Sequence, residues 1–110
     1  MRVGVGLRDM TRIASQLPPG LTCYRRTSEF TRNNVPSALL GTHTTKAGVW
    51  GVLRVLRGRV RYCLDGTSPE AVVIGHDGAV VIAPEAPHHV ELLDEESAFL
   101  VEFYRAEKAP

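Results

Sequence analysis

An all-β sandwich or barrel is what this 110-residue sequence predicts. Short apolar and β-branched segments recur at near-regular spacing, and Gly, Pro, Asn and Asp clusters punctuate them. No stretch carries a convincing long-helix period. A chain of this length forms one domain and buries roughly two-thirds of its unfolded surface.

The elements follow in order. Residues 1–7 alternate Val3, Val5 and Leu7, a weak strand signal, and residues 9–16 suit one or two helical turns. Gly4 and Gly6 begin a glycine-rich dinucleotide fingerprint without completing it, and no helix follows at the required distance. Leu17-Pro18-Pro19-Gly20 then breaks the chain, so residues 1–16 stand as an N-terminal extension that offers an extra strand. From Leu21 the pattern is β. Strands are expected over Leu21–Arg26 and residues 37–42, separated by the polar, turn-rich stretch 31–36. Residues 50–56 and 59–65 form the clearest pair, meeting at Gly58 in a tight connection. In the second of these, Val60, Tyr62 and Leu64 share one face while Arg59, Arg61 and Cys63 share the other. Strands at 71–74, 79–83, 88–93 and 98–104 complete the set, with turns at 66–70, 76–78, 84–87 and 94–97. The domain proper covers residues 17–105, and 106–110 read as a frayed tail.

Composition excludes several function classes. The hydrophobic fraction of 44% and charged fraction of 23% are globular values. A net charge of +1 with both signs interspersed gives no footprint for nucleic acid or an anionic membrane. Arg54, Arg57, Arg59 and Arg61 read as a solvated strand face, the alternative being a phosphate or oxyanion patch. No apolar run approaches the roughly 20 residues of a membrane span, and no charged-then-apolar leader precedes the domain. A cytoplasmic protein is expected. Cys23 and Cys63 fit neither a CxxC nor a zinc-finger spacing, so two reduced thiols are expected.

The chemistry gathers around Pro84-Glu85-Ala86-Pro87-His88-His89-Val90-Glu91-Leu92. Strand parity puts His88 on a face with Val90 and Leu92, pointing inward, and sends His89 and Glu91 to solvent or a partner. A lone inward histidine is either a hydrogen-bonded core residue or a metal ligand. His43, just ahead of the strand at 50–56, is the candidate second imidazole. Two imidazoles converging in a dry interior suit iron, zinc, copper, nickel or manganese. Lys46 and Trp50 fall near His43 as candidate pocket residues, the lysine for an anionic ligand and the tryptophan as an apolar wall. Their alternatives are surface charge and core packing. His76 and the run Asp94-Glu95-Glu96 read as solvated turns, and no serine or cysteine neighbours a histidine as a nucleophile would. Catalytic residues stay unassigned.

A resemblance sharpens this reading. Val55-Leu56-Arg57-Gly58, followed by Gly75/Gly78 through Pro84 to His88, resembles the two motifs of the cupin superfamily. Six patches resemble one small cupin family, found alone and fused to a methyltransferase in tellurite-resistance proteins. They are Leu17-Pro18-Pro19-Gly20-Leu21, Tyr24-Arg25-Arg26-Thr27, Phe30-Thr31, the stretch from His43-Thr44-Thr45-Lys46 to Gly51, Pro84-Glu85-Ala86-Pro87-His88 and Val101-Glu102-Phe103-Tyr104-Arg105. The resemblance covers residues 17–105 and implies a cupin-type jelly-roll β-barrel or sandwich, with a homodimer as the expected assembly.

Against the general cupin pattern, His43 fills the first ligand position, Thr45 the second, and Trp50 or Gly51 stands where a glutamate would be. His43 and His88 therefore remain, and Glu102 is the candidate third ligand, its alternative being an outward charge at an edge or dimer seam. Three functions stay open. One is a metal-binding cupin that serves the response to metalloid oxyanions, with no methyl transfer of its own. Another is a metal-dependent oxygenase or isomerase in which Lys46 orients an anionic substrate, and the last is a metal-free ligand-binding module.

Overall fold

The computed structural model describes residue 13 and residues 16–107, so the strand expected at 1–7 and most of the turn expected at 9–16 lie outside the described residues. The elements are β1 (Leu21–Arg26), β2 (Phe30–Thr31), α1 (Ser37–Leu40), β3 (Trp50–Arg57) and β4 (Val60–Leu64). β5 (Glu70–Ile74), β6 (Ala79–Ile82), β7 (His88–Leu92) and β8 (Ala98–Ala106) follow. They form two antiparallel sheets, as the spacing of short apolar segments predicts. The first runs β1-β8-β3-β6, with β2 also on β8, and the second runs β5-β4-β7. No helix among the described residues is long and apolar enough to cross a membrane.

The core lies between the sheets. Leu53, Val55, Phe99 and Val101 of the first sheet belong to one buried cluster with Val60, Tyr62, Leu64, Ile74 and Val90 of the second. Alternation along each strand produces this, because every second side chain points into the same layer. Phe30 on β2 meets Phe99 edge-on at 5.6 Å, closing one end of the layer.

Three departures from the sequence reading have physical causes. The strand expected at 37–42 is instead the single turn α1. Pro36 opens it with φ −62°, and Ser-Ala-Leu-Leu has no β-branched residue to favour extension. Ala106, expected in the tail, instead pairs with Leu21 at the end of β8, while residues 108–110 lie outside the described residues. The pair at 50–56 and 59–65 is not a hairpin. β3 and β4 are consecutive but belong to different sheets, so Gly58 turns a corner between layers.

Gly58 can do this because it has no side chain. Its φ is +64°, and a Cβ there would lie 2.7 Å from Ser97 Oγ and 2.9 Å from Ser97 Cα. Ser97 is itself fully buried and ties the corner together. Its hydroxyl accepts from the Arg59 and Asp94 N–H groups at 3.2 and 3.0 Å and donates to the Arg59 carbonyl at 2.6 Å. Replacing Gly58→Ala is expected to destabilise the fold by about 2 kcal/mol or more, through left-handed strain and the backbone contact together. Gly41→Ala, where a Cβ meets open space at ordinary φ, is expected to change stability little. Urea unfolding of the two variants beside the parent checks both.

Candidate metal and ligand site

The site begins with a backbone contact. His43 N–H donates to the His88 carbonyl at 2.8 Å and His88 N–H returns the bond to the His43 carbonyl at 2.9 Å, an antiparallel bridge outside the regular strands. Residues paired this way present their side chains on the same side of the ladder. The two imidazoles accordingly sit with ring centroids 4.2 Å apart at 62°. A third bond reinforces the loop: Glu85, held at φ 62°, donates its N–H to the Thr45 carbonyl at 3.2 Å.

Each ring is oriented in the same manner. His43 Nδ1 lies 2.9 Å from the Gly41 carbonyl and His88 Nδ1 lies 2.7 Å from the Ala86 carbonyl. A carbonyl only accepts, so Nδ1 carries the hydrogen and Nε2 keeps its lone pair. Tethering of one ring nitrogen in this way is how ligating histidines are aimed. Burial pushes the His88 pKa below its ordinary value and the neighbouring His43 adds to the effect, against the opposing Ala86 contact. The Tyr62 ring packs against His88 at 5.4 Å, and burial raises its phenol well above the usual range.

Both histidines line a cavity of about 270 Å³. Leu39, Val49, Ile82, Val101 and Phe103 give it apolar walls, while Arg25 and Lys46 supply cationic groups, and no carboxylate among the described residues lines it. Such a cavity favours an anion. Arg25 could not be assigned from parity. A β-bulge between Cys23 and Arg25 shifts the β1–β8 register, so Tyr24 and Arg25 both line the cavity.

The structure brings His43, His88 and Lys46 together and separates Glu102 and Trp50 from them. On β8, Val101 and Phe103 face the cavity, which sends Glu102 to the outer face of the first sheet. There its carboxylate accepts from Arg26 at 2.6 Å, Arg54 at 2.8 Å and the Tyr104 hydroxyl at 3.2 Å. Burial opposes its ionisation, but the arginine hydrogen bonds win and hold the carboxyl below its ordinary value. The expected third ligand is thus a buried carboxylate bound by two arginines and a tyrosine on the face away from the cavity. Trp50 opens β3 opposite Tyr104, out of phase with core-facing Leu53 and Val55, and is not a cavity wall. Thr45 does line the cavity, with its hydroxyl donated to the Val49 carbonyl at 2.9 Å. Among the described residues, no third His, Cys, Asp or Glu completes a metal-sized group with the pair.

Residues 25–101 match the TehB-like domain family. The chain belongs to that family. It is the tellurite-resistance-associated family that the six sequence patches resemble. The chain is 30% identical over 89 residues to the probable S-adenosyl-L-methionine-dependent methyltransferase TehB of Haemophilus influenzae (strain ATCC 51907 / DSM 11121 / KW20 / Rd). That alignment covers 76% of this chain and 31% of the relative, so the chain spans about a third of the curated relatives it matches. A crystal structure of a protein from E. coli (strain K12) superposes with a TM-score of 0.79 at 23% identity, covering 86% of this chain and 100% of that one. The crystal structure of TehB from Haemophilus influenzae gives 0.67 at 28% identity, covering 80% of this chain and 32% of that one.

The other strand histidine of this TehB-like domain takes the opposite surface. His89 lies on the outer face of the second sheet, with Nδ1 2.8 Å from Asp65 Oδ2 and Nε2 3.4 Å from Glu91 Oε2. Its pKa is raised, chiefly by the Asp65 hydrogen bond and against burial. The two neighbours therefore pull stability in opposite directions. Acidification from neutral pH through the ordinary histidine range costs stability at His88, where burial disfavours the cation, and gains it at His89, where Asp65 and Glu91 favour it. In chelator-treated protein, His89→Gln is expected to steepen the loss of stability between about pH 7 and pH 5.5. Urea midpoints across that range check the sign; a shallower loss in the variant would contradict it.

Proposed function

We propose that this TehB-like domain is a jelly-roll module that binds a small oxyanion at the His43–His88 cavity in the response to metalloid oxyanions such as tellurite. The strand orders 1-8-3-6 and 5-4-7 support the jelly-roll, and so cupin, reading of the two sheets. The observation that carries the binding site is the pair of imidazoles, each with Nδ1 tethered to a backbone carbonyl, in a cavity flanked by Arg25 and Lys46.

The donor chemistry fits a divalent metal of the iron, zinc, nickel, copper or manganese group. Nε2 of His43 and of His88 would hold it, and it would supply Lewis acidity to a bound oxygen. Two protein ligands fall short of a closed set, so oxygens of the bound anion would be needed beside them. Arg25 and Lys46 neutralise the anion, Lys46 as a compact ammonium and Arg25 as a planar fork. The apolar walls exclude water and strengthen both attractions. Methyl transfer, named for the Haemophilus relative, is not assigned here, because the match covers 31% of that protein. The free thiols Cys23 and Cys63 support placement in a reducing cytoplasm.

Zinc titration of tag-free, metal-stripped protein by calorimetry, with and without tellurite, tests the reading. The wild type is expected to hold about one more zinc equivalent than His43→Ala/His88→Ala, and tellurite is expected to tighten that equivalent roughly tenfold. Arg25→Ala/Lys46→Ala is expected to retain the zinc and lose the tightening. Equal zinc in the wild type and the histidine variant would refute the metal role, and an affinity indifferent to tellurite would refute the oxyanion role.

A further inference from the structure

The outer face of the second sheet carries a donor cluster that the cavity does not use. β4 and β7 place Cys63 directly opposite His89 and Arg61 opposite Glu91, so these four side chains share one patch. A ligand atom from each of Cys63, His89 and Glu91 lies within 4.8 Å of the other two. Around zinc, bonds of about 2.0–2.3 Å set donor separations of roughly 3.4–3.7 Å, so the cluster needs only a small side-chain contraction.

Two neighbours orient the donors. Asp65 Oδ2 takes the Nδ1 hydrogen of His89 at 2.8 Å and is itself held by the Thr42 hydroxyl at 2.9 Å. In the neutral imidazole that leaves the Nε2 lone pair facing Glu91 Oε2 at 3.4 Å, acceptor against acceptor. A cation between them resolves the clash. Arg61 Nη1 occupies the other carboxylate oxygen, Oε1, at 2.6 Å, so only Oε2 is left to turn inward. The carboxylate–histidine arrangement is the one that aims an imidazole at a metal.

We infer that Cys63, His89 and Glu91 form a second metal site, of the zinc type, on the outer face of this sheet, with Asp65 as its positioning residue. On binding, the Cys63 thiol releases its proton to solvent and ligates as thiolate. A dication then balances the combined charge of that thiolate, Glu91, Asp65 and Arg61. Three protein ligands leave the fourth tetrahedral position open to water. The competing occupant of the gap is a proton, an imidazolium at His89 bridging Asp65 and Glu91, which leaves the thiol uninvolved.

Cobalt(II) separates the two, because only a thiolate ligand gives a strong near-ultraviolet charge-transfer band. Metal-stripped full-length protein titrated with cobalt is expected to develop that band and to lose it when zinc is added. The band is expected to vanish in Cys63→Ser and His89→Gln, each checked for folding by circular dichroism. It is expected to survive in Cys23→Ser and in His43→Ala/His88→Ala, which distinguishes this site from the cavity. Asp65→Asn is expected to weaken cobalt binding about 10–100-fold. No band in folded wild type, or a band that persists in folded His89→Gln or depends on Cys23, would overturn the inference.

Discussion

Two backbone hydrogen bonds between His43 and His88 hold the rest of the site in place. They fasten the loop after α1 to the first residue of β7. Without them His43 would belong to a connecting segment, and His88 would be an isolated polar residue in an apolar layer. With them, each ring needs only its own carbonyl two residues back to fix its tautomer. Glu85 and Thr45 add a further tie between the same two segments. The cavity, its cations and its apolar walls are assembled around that bridge.

The charges are sorted between faces. Glu102 is held by Arg26 and Arg54, Asp94 by Arg59, and Glu91 by Arg61. All three carboxylates lie away from the cavity, whose lining among the described residues contains Arg25 and Lys46 without an acid. Glu102 shows why this matters energetically. A carboxylate with 5% of its side chain exposed is tolerable only because two guanidiniums and a phenol saturate it. A group so engaged, on the face away from the cavity, is not available to the imidazole pair. The arginine-rich stretch 54–61 is thus a set of outer-face partners for particular acids.

Parity made much of this legible in the sequence, and parity also marks where it stopped. The inward turn of His88 and the outward turn of His89 follow from alternation in β7, and the clustering of Val60, Tyr62 and Leu64 follows from the same rule in β4. Glu102 and Trp50 obey alternation too, and it puts them on the outer face; the acidity of Glu102 and the nearness of Trp50 to His43 along the chain carry no such phase. Arg25 lay beyond reach because the bulge in β1 breaks alternation at Tyr24, and a bulge leaves no mark in composition. The strand expected at 37–42 failed on Pro36, whose fixed φ starts a helical turn as readily as a loop. The Gly58 corner was seen as a tight connection, but that it passes between two sheets, packed against Ser97 thirty-nine residues away, is a long-range contact that local sequence does not carry.

The account rests on both imidazoles being Nδ1–H tautomers with Nε2 free in the cavity. Long-range proton–nitrogen correlation spectra of nitrogen-15-labelled, metal-free protein at neutral pH measure this directly. The prediction is a pyridine-like Nε2 and a pyrrole-like Nδ1 for His43 and His88 alike. An Nε2–H tautomer at either ring would contradict it, because the lone pair on which the site depends would then be spent.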